Sequence, residues 1–531
     1  MKPSANPVPD GADPDVRPVA VGETDLRAIT SSMISDTGAE FASVLTPQQV
    51  AVGVQGGSSI LVHGIRVTME HRRDFVVVKI DLRNAYNAMR RRTALRRLRA
   101  HPTLRHLVPF LYALNSAESY LLVGGSRARL FEHDATRAGD SSTGWRQGSG
   151  ESSAGFCVAI HPEVVALDEE LQPWGGGSRF LMDDGYAYGP AHVVFPAVFR
   201  FLARVREALD LESSPGKLAC FSHEHDLLHC PVRQHHMVPI GQCDILIRTE
   251  VERQTMHSEV IGSAYGILVA GVPVGEPQYE YEQMRVIGDR YVSYAYTTLD
   301  QLRDEPHHMW TLIFYCLQPD LDYFLRHTPP SATTIAAECV DHAYLRCVRD
   351  LEVDPTGAFF TDPLLMRRFR LRVGSHFGAG CRSRVTITLA AFASCLAESA
   401  QQFLDSPVRG GTHPGFFPQL QTLFGAGAFA PRGGVWLQQF LAMSTRSAVE
   451  FEAAWDQMQQ QVGAFESRGP LTSAAREAGR GTPRRLQHAI TQQREHVESR
   501  LVHDALVALA PRDPRRHAYL QLTQESTGFS S

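Results

Sequence analysis

Lysine is almost missing from this 531-residue chain: Lys2, Lys79 and Lys217 are the only three, so 49 of the 52 basic residues are arginine. Cysteine is sparse as well. The nine cysteines are irregularly spaced, odd in number and without a close CxxC pair, which excludes a disulfide-stapled scaffold and fits a reduced compartment. Nowhere do about 18 consecutive apolar residues appear, so no membrane partner is expected. The N-terminus, MKPSANPVPDGADPDV, has no apolar core of a secretory signal, and the expected location is intracellular, nucleus or cytoplasm. A basic surplus is absent too. With 52 basic against 57 acidic residues the net charge is −5, which weighs against a nucleic-acid binder unless charge is concentrated locally. Hydrophobic residues at 43% and charged residues at 21% exclude collagen, coiled coil and wholesale disorder.

The length suggests about three domains at roughly 150 residues each. Residues 1–16 carry four prolines and read as a disordered tail. From 17 to 240 strand-like and helix-like stretches alternate, among them FVVVKIDL (75–82), the apolar helix of 191–210 and KLACF (217–221), an α+β pattern. Residues 241–405 are expected to be mainly helical, and the four-residue spacing of Ile335, Cys339, Ala343 and Cys347 is expected to turn these cysteines to a core. The Gly- and Pro-rich 406–434 reads as a linker. Residues 435–531 read as a helical extension, with long amphipathic helices over 435–465 and 484–510.

Two acidic segments carry chemistry. In VVVKIDLRNAYNAMRR (76–91) an apolar strand delivers Asp81 at its end. In RFLMDDGYAYG (179–189) apolar residues flank Asp183 and Asp184, which are expected at the turn of a tight β-hairpin. Adjacent carboxylates between apolar strands repel each other and lose hydration, a cost that a cation relieves. Mg²⁺ takes oxygen ligands and is commonly held by one or two carboxylates plus substrate phosphates. Two such ions suit in-line phosphoryl transfer. A solvated acidic turn is the alternative, since Asp-Gly is a favoured turn dipeptide.

IDLRNAYNAM (80–89), GWRQGSGESSAGFCVAIHP (144–162), FLMDDGYAYG (180–189) and ALDLESSPGKLACF (208–221) stand in the order of reverse-transcriptase palm motifs A, B, C and D. Upstream, RPVAVGET (17–24) and TPQQVAVGVQGGSSILVHGIR (46–66) resemble the fingers segments; downstream, GILVAGVPVG (266–275) and YFLRHTPPS (323–331) resemble the region after the palm in polymerases of non-LTR retrotransposons. The resemblance covers about 17–405. It implies a fingers–palm polymerase fold with an antiparallel palm sheet, then helical thumb-like and C-terminal regions. It also implies an RNA-directed DNA polymerase with two Mg²⁺ ions as cofactors, and an RNA template, a DNA primer and deoxynucleoside triphosphates as partners.

By that resemblance Asp81, Asp183 and Asp184 match the metal-binding and catalytic acids. Tyr86 falls at the aromatic position under the incoming sugar, where it would exclude a 2′-hydroxyl. Gln147 and Gly148 match the nucleotide- and template-contacting pair of motif B, although SGESS follows where prolines are frequent in the family. Lys217 matches the motif D lysine near the triphosphate, and Arg17 a fingers arginine that meets it. The family's more N-terminal fingers lysine has no counterpart.

Local charge answers the unfavourable total. Between Asp81 and Glu118 there is no acid, while Arg83, Arg90, Arg91, Arg92, Arg96, Arg97, Arg99 and Arg105 crowd the interval. Arg90, Arg91, Arg92 and Arg96 are expected to meet phosphates, as arginine does bidentately; a solvated helix face is the plain alternative. CFSHEHDLLHCPVRQHHMVPIGQC (220–243) collects histidines and cysteines but fits no zinc template, and reads as a surface loop. A catalytically inactive, nucleic-acid-binding remnant of a retroelement is the competing reading of the whole chain. A Gly-loop ATPase or kinase is disfavoured, because GSGESSAG lacks the loop lysine.

Overall fold

The computed structural model describes residues 24–115, 120–123, 126–129, 144–145, 149–213, 218–223, 265–350, 361–371, 380–408, 411–422, 445–463 and 486–509. The chain is mixed helix and sheet, mostly helical with a small antiparallel sheet, in keeping with the α+β expectation. It divides into two compact units: Met1–Gly271 with Gln402–Leu423, and Val272–Gln401 with Phe424–Ser531. The boundary near 271 differs from the expected 240. Residues from within the Gly- and Pro-rich stretch expected as a linker return to the first unit.

In the first unit, helices α1 (Thr24–Asp36), α2 (Gly38–Leu45) and α3 (Gly57–His71) precede strand β1 (Phe75–Ile80). Then come α4 (Ala85–Ala88), α5 (Arg91–Ala100), α6 (Val108–Asn115) and the paired strands β2 (Tyr120–Val123) and β3 (Ser126–Arg129). Helix α7 (Ser152–Leu171), the hairpin β4 (Gly177–Leu181) and β5 (Asp184–Pro190), α8 (Ala191–Leu209), β6 (Ala219–Phe221) and β7 (Gly266–Val269) follow. The main sheet has the order β4-β5-β1-β6 with all neighbours antiparallel.

Strand β1 is apolar apart from the partly buried Lys79, because both faces are covered. Val76, Val78 and Ile80 join Phe180, Ala187 and the inner faces of α7 and α8 in one core, while α3 lies against β1 and β4 and Val77 and Phe75 are equally enclosed. Burying each such side chain contributes about 1.5–3 kcal/mol. Close approach fixes small residues here: a Cβ on Gly155 of α7 would fall 1.4 Å from a Trp145 ring atom.

Apart from the strand Val272–Gly275, the described residues of the second unit are mainly helical: Pro277–Leu302, Pro306–Leu312, Gln318–His327, Pro330–Asp350, Pro363–Phe369, Arg384–Leu404, Arg446–Gly463 and Leu486–Leu509. Its core joins Met284, Tyr291 and Leu299 to Ala337, Val340, Tyr344 and Cys347. Here the expected cysteine stripe is corrected. Ala343 and Cys347 are buried, but Ile335 is 43% exposed and Cys339 is exposed. At 3.6 residues per turn a four-residue spacing drifts by about 40° each step, so a stripe of that period leaves the core face within two or three turns. The face that packs follows Thr333, Ala336, Ala337, Val340, Tyr344 and Cys347. Among the described residues no helix is long and apolar enough to cross a membrane.

Candidate active site

Strand register brings the three acids to one end of the main sheet. Strand β1 pairs with β5 through Ile80↔Gly185, so continuing the ladder by one residue sets Asp81 opposite Asp184. Strand β4 pairs with β5 through Leu181↔Asp184, which leaves Met182 and Asp183 as a two-residue hairpin loop. The expected turn is therefore present, with Asp183 in the loop and Asp184 as the first residue of β5. All three carboxylates are half-buried.

The loop departs from ordinary backbone. Met182 sits at φ +60, and Asn84, three residues past Asp81, at φ +47. A left-handed residue with a Cβ costs about 1–2 kcal/mol, less for asparagine, and such conformations gather at functional sites. Both are supported locally. Asn84 leads into α4, where its carbonyl accepts from the Asn87 and Ala88 amides at 2.9 Å each. The buried Gln49 side chain donates to the Met182 carbonyl at 2.9 Å and accepts from the Met182 amide at 3.2 Å.

Tyr86, on α4, is the aromatic beside the acids. Its ring lies 5.0 Å from that of Phe156, centroid to centroid. Burial first, then the nearby Asp183, push its hydroxyl well above the ordinary tyrosine range, so it stays neutral. The same two causes raise the fully buried Cys157 thiol, leaving it unreactive. Gly144 and Trp145 join this corner through their backbone: the Trp145 amide donates to the Tyr86 carbonyl at 2.7 Å and the Gly144 amide to that of Met89 at 2.6 Å. Gly144 is at φ +77, and a Cβ there would fall 2.0 Å from the Asn87 carbonyl oxygen, so only glycine fits. Gln147, Gly148, Lys217, Arg17, the 1–16 tail and nearly all of the 220–243 loop lie outside the described residues.

The arginine cluster divides. Arg92 and Arg96 are exposed on α5; Arg90 is exposed too and donates to the Glu207 carbonyl at 3.0 Å. Arg91 is the exception to the expected phosphate-facing set. It is buried and donates to the Gly144 and Asn115 carbonyls, so it ties α5 to Gly144 and to the end of α6 instead. Arg97 pairs with Glu163 of α7 through two contacts of 2.5 and 2.7 Å, a structural bond between the helices. An amphipathic helix turns part of any arginine run inward, which a count of arginines cannot reveal.

Two features went unread in the sequence. One is the Gln49 clamp, whose only signal was a glutamine in an apolar segment. The other lies toward the opposite end of the sheet, where the wholly buried Asp168 accepts from Gln48 (3.0 Å), Gln172 (2.8 Å), the Ser178 amide (2.7 Å) and Arg179 (2.8 Å). Arg179 also donates to the Phe416 carbonyl, and Gln419 donates to the Tyr188 hydroxyl at 2.7 Å. Burial works against charge on Arg179, but Asp168 and Tyr188 outweigh it and raise its pKa. A cavity of about 560 Å³ opens beside this network, lined by Gln48, Thr68, Arg72, Arg179 and Gln419 among others.

Among the described residues no three His, Cys, Asp or Glu side chains are grouped tightly enough to hold a metal ion unaided. The donor chemistry at the acidic end still suits Mg²⁺, which needs one or two carboxylates and completes its shell with water and substrate phosphates. No protein-family model matches this chain, and no curated protein is similar to it.

Proposed function

We propose that this chain is an RNA-directed DNA polymerase of non-LTR retrotransposon type, with the main sheet as its palm and the helices of the second unit as its thumb-like and C-terminal regions. One observation supports the reading above the others. Asp81 and the Asp183–Asp184 pair, far apart in sequence, end neighbouring antiparallel strands at the same end of one sheet, with Tyr86 close enough to feel Asp183.

In this reading Asp81, Asp183 and Asp184 would hold two Mg²⁺ ions, which supply charge stabilisation at the reacting phosphate. Tyr86, held by Phe156 and by the backbone bond from Trp145, would pack under the incoming sugar and reject a 2′-hydroxyl. Gln147, Gly148, Lys217 and Arg17 would meet nucleotide and template, and exposed Arg90, Arg92 and Arg96 would neutralise phosphates of the RNA template or DNA primer. A catalytically inactive nucleic-acid-binding remnant is the second reading, favoured by SGESS after Gln147–Gly148, where prolines are frequent in the family.

Primer extension on poly-rA and poly-dA templates with deoxynucleotides and Mg²⁺ separates the two. The polymerase extends a primer on poly-rA and loses this in Asp183→Asn. Wild type that extends neither template, and behaves like Asp183→Asn, leaves only the binding remnant.

A further inference from the structure

Met182 is an odd residue for its place. It occupies the first loop position of the acidic hairpin in the left-handed region, at φ +60, where glycine or asparagine would be the unstrained choice. The last strand pair is Leu181↔Asp184, so the ladder ends before Met182 and cannot by itself hold that backbone. What grips it is a side chain from a different part of the chain. Gln49 is fully enclosed, and its amide group donates to the Met182 carbonyl at 2.9 Å while accepting from the Met182 amide at 3.2 Å. This satisfies the peptide groups on both sides of the strained residue. Gln49 is itself fixed: its backbone N–H donates to the Leu45 carbonyl at 2.9 Å. Around it the Gln48 carbonyl accepts from the Phe180 amide at 2.8 Å and the Val50 amide donates to the Phe180 carbonyl at 2.9 Å, docking the segment along β4. The clamp is therefore mounted on the same strand whose turn it holds.

We propose that Gln49 is the positioning residue of the acidic hairpin. It keeps Met182 left-handed and thereby fixes the direction in which Asp183, the next residue, and Asp184, the one after, present their carboxylates beside Asp81. Gln49 touches neither substrate nor reacting atoms in this account; it acts through the backbone of Met182. The catalytic consequence rests on the polymerase reading above, whereas the clamp itself does not.

The test uses the full chain carrying Gln49→Met, which keeps the volume of the side chain and removes both hydrogen bonds, alone and combined with Met182→Gly. Two measurements are made: amide hydrogen exchange over residues 177–190, and primer-extension kcat and KM for the deoxynucleotide. Gln49→Met is expected to speed exchange at Met182 and to lower kcat by about 10–100-fold, the scale of a small misplacement of reacting groups, with KM within about twofold of wild type. Adding Met182→Gly is expected to restore most of kcat, because glycine holds a positive φ without a clamp. A merely structural loss would not be repaired by that second change. Should Gln49→Met not fold, Gln49→Glu, which cannot donate to the Met182 carbonyl, is read in the same way. Wild-type exchange at Met182 in the variant overturns the clamp, and so does a kcat that Met182→Gly leaves unrescued. If wild type extends no primer, the polymerase reading falls, and the exchange measurement alone decides the clamp.

Discussion

Asp168 sits toward one end of the main sheet, wholly enclosed and accepting four hydrogen bonds, one of them from the equally buried Arg179. At the other end Asp81, Asp183 and Asp184 stand half-buried where strands stop, beside a loop in strained backbone. The same residue type stands in opposite settings within one sheet. A buried carboxylate saturated with donors is part of the framework, since removing a partner leaves an uncompensated charge. Carboxylates gathered at strand ends with access to solvent would, in the proposed reading, meet a cation and phosphate.

The largest effect that would sharpen this contrast is on stability. Asp168→Ala is expected to cost about 3–5 kcal/mol, because Arg179 would remain buried without its counter-charge. Chemical denaturation of the variant measures it, and a loss below about 1 kcal/mol would remove Asp168 from the framework.

A second, slightly smaller effect concerns pH. Burial, then the neighbouring His101, depress the pKa of His161 to about 4, against a modest opposing bond to the Val44 backbone. Protons therefore bind the unfolded chain first. Stability is highest above the ordinary histidine pKa of about 6.5 and falls as pH drops from there to about 4, by roughly 3 kcal/mol. His161→Gln is expected to flatten the fall across that window in thermal melts. An unchanged pH profile would show that other groups govern acid sensitivity.

The smallest effects divide the arginines as the acids are divided. Arg91→Ala is expected to lower stability by about 1–3 kcal/mol, leaving the Gly144 and Asn115 carbonyls without that donor. Arg96→Ala is expected to leave stability alone and to reduce the salt dependence of nucleic-acid affinity by about 0.9 in log–log slope. Reversed roles for Arg91 and Arg96 would break the division.

Much of this was legible in the residues. The apolar run ending at Asp81, the apolar-flanked Asp183–Asp184 and the long helices near the C-terminus all carry local patterns, and local hydrogen bonding and burial follow such patterns. What escaped depends on meetings between distant segments. Nothing near Gln49 announces that it reaches Met182, and Asp168 on α7 looks like one more helix acid until Gln48, Ser178 and Arg179 converge on it. The return of Phe416 and Gln419 to Arg179 and Tyr188 was hidden for the same reason, in a stretch whose glycines and prolines read as a linker. The inward turn of Arg91 required the packing of α5, and the Cys339 error came from a spacing close to, but not equal to, the helical repeat.

The central claim is that the half-buried acids act while the buried one supports. Asp183→Asn and Asp168→Asn, compared in one primer-extension assay on poly-rA with Mg²⁺ and normalised to folded protein, test it most directly. The account predicts that Asp183→Asn melts like wild type and extends nothing, while Asp168→Asn melts earlier yet keeps the wild-type rate per folded molecule. Extension by Asp183→Asn at the wild-type rate, or a wild type with no extension to lose, would contradict it.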